Sequence, residues 1–215
     1  MADVAGALDA IMEGVRAGLL DKHTAREKAL ALCREVIRRS ANAIRAVHRN
    51  EYEDAEALLD DARAKLSAVC ELLADHADIY HAGFVADAQK EFAEASLTAA
   101  LVRGLPLPGP REMQMGEAPY LNGLGEAVGE LRRYLLDVLR RGDIERCEGY
   151  LRAMDEIYGV LVTVDYPDAI TGGLRRTTDV TRGILEKTRG DLTLAAQQYT
   201  LERQLRAFQE RMSSP

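Results

Sequence analysis

Apolar positions along the chain recur three and four residues apart far more often than they alternate. Ala, Leu, Glu and Arg dominate the stretches between breaks. That periodicity turns one face of successive helices toward a core, and these residue types favour helices, so the expected fold is all-α. The longest β-branched run, Val160-Leu161-Val162-Thr163-Val164, continues a helical pattern unbroken and stops before Pro167, so it is read as the buried end of a helix.

Punctuation sets the expected boundaries. Thr24-Ala25-Arg26-Glu27 has the form of a capping box, in which the Thr hydroxyl and the Glu carboxylate each accept from an orphan N–H. It predicts a helix from Thr24 to about Arg49, leaving residues 1–22 as an N-terminal segment. A second helix is expected from near Glu51 to about Tyr80, and a third between Gly83 and Gly104. Residues 104–117 form a connecting loop, because Gly104-Leu105-Pro106-Leu107-Pro108-Gly109-Pro110 holds three of the six prolines. A helix from about Ala118 should stop at Gly142, with Asp143 capping the next. Breaks follow at Pro167 and at Gly172-Gly173, and Gly190-Asp191 should separate the last two helices. The sum is a single-domain bundle of about seven helices over residues 1–215. One echo, Arg49-Asn50-Glu51-Tyr52 against Arg141-Gly142-Asp143-Ile144, reads as two similar helix corners with acids in the first turn.

Composition narrows the function classes. The chain has 215 residues, 47% of them apolar, and a net charge of −7, which suits a soluble globular protein with one substantial core. No run approaches the ~18 apolar residues of a membrane span. The opening Met1-Ala2-Asp3-Val4-Ala5-Gly6 lacks the basic start of a secretory signal, so a cytoplasmic location without membrane contact is expected. Cys33, Cys70 and Cys147 lie too far apart for a C-x-x-C zinc site, and three sparse cysteines fit a reducing compartment. With 5% aromatics and no Trp, base-stacking platforms would have few residues to use.

Phosphate-loop, dinucleotide-binding, zinc-protease and nucleophile-elbow motifs are all absent. The first positive feature is Arg34, Arg38, Arg45 and Arg49, which fall within a ~60° arc of one helix. Leu30, Cys33, Ile37 and Ile44 occupy the arc expected to be buried. Residues 22–49 carry eight Lys/Arg and two Asp/Glu, whereas residues 50–94 carry three and twelve. The ridge suits phosphates, or it pairs with the acidic helix beside it. The second feature is Glu91 with Glu94. Phe84, Ala88 and Ala95 mark an apolar seam on which Glu91 falls, and Glu94 lies one turn on. Carboxylates on a seam are costly unless paired with a cation, so Mg²⁺ and a buried Glu–Arg pair both answer the pattern. The third is Glu145 with Glu148 at a helix start, where acids ordinarily offset the helix dipole. Brought from another helix to Glu91 and Glu94, one of them would complete a metal-binding cluster. A ferritin-like di-iron site needs Glu-x-x-His on two helices, and Asp78-Ile79-Tyr80-His81 is a single imperfect relative.

At these residues the chain resembles the translin/Trax family, its archaeal members in particular. The matching passages are Gln89-Lys90-Glu91-Phe92-Ala93-Glu94-Ala95; Leu121-Asn122-Gly123-Leu124 leading to Gly129-Glu130-Leu131-Arg132-Arg133; Arg141-Gly142-Asp143; and Tyr166-Pro167-Asp168-Ala169-Ile170 through Leu174-Arg175-Arg176-Thr177-Thr178-Asp179-Val180. Together they span roughly Arg26 to Arg203. The resemblance implies a seven-helix fold closing into homo-oligomers, hexamers or octamers, with nucleic acid held inside. Translin-type subunits bind single-stranded RNA or DNA; Trax-type subunits add a Mg²⁺-dependent endoribonuclease site of acidic residues, for which Mn²⁺ is an alternative ion. The Trax pattern Gln-Glu-x-x-Glu-Ala matches Glu91 and Glu94, with Lys90 inserted after Gln89. A further acid after the Gly-Asp turn matches Glu145, and the fourth aligns with Gly149, leaving Glu148 one residue out of register.

The resemblance also implies that Arg34, Arg38, Arg45 and Arg49 face bound RNA, joined by His48, His81 and Lys90, and that helix contacts from Asp179 to Arg211 assemble the oligomer. The expectation is therefore a metal-dependent endoribonuclease acting on single-stranded RNA, with Glu91, Glu94 and Glu145 holding Mg²⁺. A binding protein without turnover is the alternative, and a purely structural helical oligomer is a third reading.

Overall fold

A computed structural model describes residues 4–213, so Met1, Ala2 and Asp3 of the opening hexapeptide lie outside the described residues. Among the described residues, six long helices and two single-turn helices follow one another: α1 (Val4–His48), α2 (Tyr52–Leu72), α3 (Ala77–Tyr80), α4 (Phe84–Arg103), α5 (Glu117–Leu139), α6 (Ile144–Val162), α7 (Asp168–Thr171) and α8 (Leu174–Ser213). The chain is all-α, as the periodicity requires. No helix among the described residues is long and apolar enough to cross a membrane.

Several boundaries follow the punctuation. α4 runs between Gly83 and Gly104, and the Asp143 side chain accepts a hydrogen bond from the Arg146 N–H at 3.0 Å, capping α6. Asn50 and Gly142 both adopt left-handed backbone, with φ of 60° and 82°, so the two echoed corners share a turn geometry that Gly and Asn tolerate.

Other boundaries differ. α1 does not begin at Thr24: its 45 residues run unbroken from Val4. The Thr24 hydroxyl donates back to the Leu20 carbonyl at 2.8 Å, a bond made inside a helix rather than at its start, and Glu27 pairs with Arg26. α2 ends at Leu72, not near Tyr80. There His76 lies 3.4 Å from Asp21, and Lys22 grips Asp78 at 2.7 Å, tying the α2–α3 turn to the side of α1. Gly190-Asp191 does not divide α8. Arg132 on α5 donates to Thr188 at 2.8 Å and to Asp191 at 2.6 Å, holding that turn helical against the ~1 kcal/mol penalty of a mid-helix Gly. The β-branched run does end a helix, but only Leu161 is buried; Val160 and Val162 face solvent.

α1 packs on α2 and α4, α4 packs on α5, and α5 packs in turn on α6 and α8. Phe92, Leu97, Leu131, Leu135 and Met154 fill the centre. On α1, Cys33 and Ile44 are buried while Leu30 and Ile37 are half-buried. α5 is the hub, and its glycines are what let neighbours approach. A Cβ on Gly123 would stand 2.7 Å from both the Ala93 Cβ and the Lys90 carbonyl oxygen on α4. One on Gly125 would stand 2.5 Å from the Thr177 Cγ2 on α8. Buried Asn122 fixes the same junction, donating to the Ala118 carbonyl at 2.9 Å and the Thr171 carbonyl at 2.8 Å, and accepting from the Thr177 hydroxyl at 2.6 Å.

Two helix ends extend with their apolar seams uncovered. Val4, Leu8, Ile11 and Val15 on α1, and Leu201, Leu205, Phe208 and Met212 on α8, are exposed at spacings of four, three and four. That spacing is the heptad seam of helices that pack side by side.

Candidate metal centre

The crossing of α4 and α5 at Gly123 brings two acidic pairs together. Glu91 and Glu94 sit one turn apart on α4; Glu126 and Glu130 sit one turn apart on α5. One carboxylate oxygen from each of Glu91, Glu94 and Glu126 lies within 4.8 Å of the others, and all three side chains are half-buried. Glu130 is close enough to act electrostatically on Glu94. Glu94 and Glu126 of this cluster, with the wall of α8, line a groove of about 810 Å³ that also includes Glu130, Gly129 and Arg176.

The electrostatics are uneven. Lys90 Nζ lies 2.8 Å from Glu126 and 3.8 Å from Glu91. Burial works against the Lys90 charge, but the hydrogen bond and charge of Glu126, with Glu91 and Asp87, outweigh it and hold its pKa above the ordinary lysine value. Glu91 is raised, first by burial and then by Glu126 and Asp87, with Lys90 opposing. Glu94 makes no ion pair among the described residues, and the charge of Lys90 is the least of the influences on it. Burial, then the charges of Glu126, Glu91 and Glu130, push its carboxyl up to about 8. Glu130 goes the other way, chiefly because the His48 Nε2–H donates to its carboxylate at 2.5 Å, with Arg133 3.7 Å away.

This donor set is all hard carboxylate oxygen, the kind that suits Mg²⁺ or Mn²⁺. Octahedral ligands at ~2.1 Å stand roughly 3 to 4 Å apart, so the cluster needs only small rotamer changes to converge. An unpartnered carboxyl held protonated near neutrality is also what a cation would relieve.

The sequence-derived residues fall into different places. Glu91 and Glu94 come together as expected, but the third carboxylate beside them is Glu126. Glu145 is exposed in the first turn of α6, and Glu148 faces a separate groove beside Gln197 and Thr200 of α8; neither joins the cluster among the described residues. Sequence reasoning passed over Glu126 and made nothing chemical of Glu130. The available signal was two acids at i and i+4, interleaved with Gly125 and Gly129, in a stretch where small residues announce a close helix crossing.

Arg34, Arg38, Arg45 and Arg49 are exposed along α1. Arg38 holds Glu35 at 2.5 Å, Arg45 donates to Asn42 at 2.7 Å, and Arg49 holds Glu51 at 2.6 Å. Arg45 and Arg49 line a second cleft, between α1 and α2, away from the carboxylate groove. The ion pair from α1 to the acidic α2 comes from Arg39, off the ridge, to Asp61 at 2.7 Å. His48 is turned inward, its side chain only 6% exposed, and its Nδ1 has no partner. His81 is exposed and packs edge-on against Tyr80. Lys90 is committed to the carboxylates. The three cysteines are free thiols.

No protein-family model matches the chain. An uncharacterised protein of Methanocaldococcus jannaschii is 30% identical over 196 residues, covering 89% of this chain and 85% of that one. Among solved structures, AfC3PO in complex with duplex RNA is 33% identical with a TM-score of 0.80, covering 86% of this chain and 96% of its own. Crystalline AfC3PO alone gives 32% identity with the same TM-score and the same coverage of both chains. Apo-NeC3PO shares the fold, with a TM-score of 0.72 at 19% identity over 91% of this chain and 98% of its own.

Proposed function

Because the chain belongs to the translin/Trax family, as its likeness to AfC3PO over nearly the full length establishes, we propose that it is a metal-dependent endoribonuclease. It binds and cleaves single-stranded RNA inside a closed homo-oligomer, a hexamer or octamer. The observation that carries this reading is the convergence of Glu91, Glu94 and Glu126, with Glu94 making no ion pair among the described residues. AfC3PO has been solved in complex with duplex RNA, which supports RNA as the class of ligand.

Glu91, Glu94 and Glu126 would hold Mg²⁺ or Mn²⁺. When bound, the ion lowers the pKa of a water and offsets charge on the scissile phosphate. The protein's own residues do the rest. Glu94 gives up the proton it holds below pH 8, and His48 keeps Glu130 ionised beside it. Glu145 and Glu148 stay candidates for this site only if another subunit brings them to it. Arg34, Arg38, Arg45 and Arg49, together with His81, would guide the RNA backbone and would contact phosphates without reading bases. The uncovered seams of α1 and α8 would be the assembly contacts, since exposed heptad stripes of this kind call for a partner helix.

The test is a Mg²⁺ titration of cleavage on labelled single-stranded and duplex RNA, with EDTA as control and with Glu94→Gln, Glu126→Gln and Glu145→Gln variants. Metal-dependent cutting lost in the first two supports the site; loss in Glu145→Gln as well would bring α6 into it. Lys90 favours the alternative, an RNA-binding protein without turnover, because its ammonium already neutralises Glu126 and Glu91 without a metal. That alternative wins if RNA is bound and never cut.

A further inference from the structure

The groove beside the carboxylates has a second wall, and its charge is not accounted for by metal binding. The charged side chains lining the groove are Asp87, Lys90, Glu94, Glu126, Glu130 and Arg176, four acids against two cations. Lys90 is engaged by Glu126 and Glu91. Arg176 is exposed on α8 and makes no ion pair among the described residues, whereas its neighbour Arg175 is held by Asp165 at 3.4 Å. The corner that delivers Arg176 is built tightly. Gly172 and Gly173 both adopt left-handed backbone, with φ of 61° and 83°, which L side chains resist, and this turns the chain sharply from α7 into α8. The contacts of Asn122 with Thr171 and Thr177 then pin that corner to α5, one turn from Glu126. Thr177 fills the notch at Gly125, and Val180 and Ile184 continue the α8 wall as an apolar strip.

A phosphodiester entering this groove meets the carboxylates of Asp87, Glu126 and Glu130, joined by Glu94 once it ionises to bind a metal, and a single divalent ion offsets only part of that charge. The guanidinium is a planar, permanently charged fork suited to phosphate oxygens, and in this groove it is the cation left uncommitted. We propose that Arg176 is the substrate-positioning residue of the groove. It takes a backbone phosphate of the RNA strand on the α8 wall, opposite Glu94 and Glu126, so that the neighbouring bond is presented to the carboxylates. This rests on the endoribonuclease reading for its consequence in cleavage, but not for its consequence in binding.

The experiment measures binding of a fluorescein-labelled single-stranded RNA to the full-length protein in EDTA, across a salt series, for the unaltered chain and for Arg176→Ala, Arg176→Lys and Arg175→Ala. Arg176→Ala should weaken binding about five- to tenfold and lower the magnitude of the salt slope by about 0.7, the value of one phosphate contact on a single strand. Arg176→Lys should keep the slope and recover part of the affinity, and Arg175→Ala should stay within about twofold of the unaltered chain. In Mg²⁺, Arg176→Ala should raise KM more than it lowers kcat. Equal, small effects of Arg176→Ala and Arg175→Ala, with the slope unchanged, would overturn the assignment. Absence of Mg²⁺-dependent cleavage in the unaltered protein, with the Arg176 effect on binding intact, would sink the nuclease reading and leave the phosphate contact standing. No RNA binding at low salt would overturn both.

Discussion

Glu94→Gln should make the metal-free protein more stable, and the gain should grow with pH. The Glu94 carboxyl is raised from 4.5 to about 8, first by burial and then by the charges of Glu126, Glu91 and Glu130. A carboxyl raised in the folded state binds its proton more tightly there than when unfolded. Its stabilising contribution is therefore complete below pH 4.5 and is lost as pH rises toward 8. Gln keeps the shape and carries no charge, so the difference between variant and unaltered chain should widen by about 1.4 kcal/mol per pH unit across that window. At pH 7 the accumulated difference is about 3 kcal/mol, which for a chain of this size is a Tm rise of about 6–12 °C. Thermal unfolding in EDTA at pH 5, 6, 7 and 8 reads it directly, because titrations shared by both proteins cancel in the difference. Saturating Mg²⁺ should shrink or reverse the gap, since only the unaltered site gains about 2.7 kcal/mol from metal at one hundred times Kd. A gap that stays flat with pH, or an unaltered chain that is the more stable at pH 8, would refute the account of the carboxylate cluster.

Metal affinity should rise with pH up to about 8, and binding at pH 7 should release close to one proton, seen as a buffer-dependent calorimetric heat, because Glu94 must ionise to become a ligand. Gly123→Ala forces a Cβ to 2.7 Å from the Lys90 carbonyl oxygen, so α4 and α5 must part; we expect a loss of about 2–3 kcal/mol in urea unfolding together with weaker metal binding. His48→Ala removes the hydrogen bond that depresses Glu130 and should cost about 2 kcal/mol at pH 7, with His48→Gln recovering part; the contribution should vanish as acid protonates Glu130, since a lowered carboxyl stabilises the fold only above its folded pKa. Leu205→Asp with Phe208→Asp should leave the helical circular dichroism intact while dissociating the assembly on a sizing column, if the α8 seam is the subunit contact.

Helix type was legible in the sequence because local periodicity decides it, and α4 was legible at both ends because Gly83 and Gly104 act locally. The differences have two causes, a hydroxyl that bonds back within its own helix and tertiary contact. Thr24 carries a start signal, yet α1 continues through it. Gly190 carries a stop signal, yet Arg132, far away in the chain, holds α8 together there. The carboxylate cluster divides the same way. Glu91 and Glu94 were visible as a pair one turn apart on an apolar seam. Glu126 becomes their neighbour only through the crossing angle of α5, which is set by Gly123 against Ala93 and by Asn122 against Thr171. A spacing rule read along one helix cannot supply that.

The cluster is also a place where stability is given up for charge. α5 has the packing of a core helix, with glycines where side chains would keep its neighbours apart, and this closeness forces Glu91, Glu94 and Glu126 within reach of one another. An apolar or amide residue at any of the three would relieve the repulsion at no cost to helix propensity beyond tenths of a kcal/mol. Lys90 pairs with two of the three, so the strain is greatest on Glu94, whose carboxyl is pushed up to about 8. A merely structural salt-bridge cluster would have no reason to keep a third acid that its lysine does not pair. A cation site that fills and empties would, because the proton on Glu94 holds the place of the ion and leaves when the ion arrives.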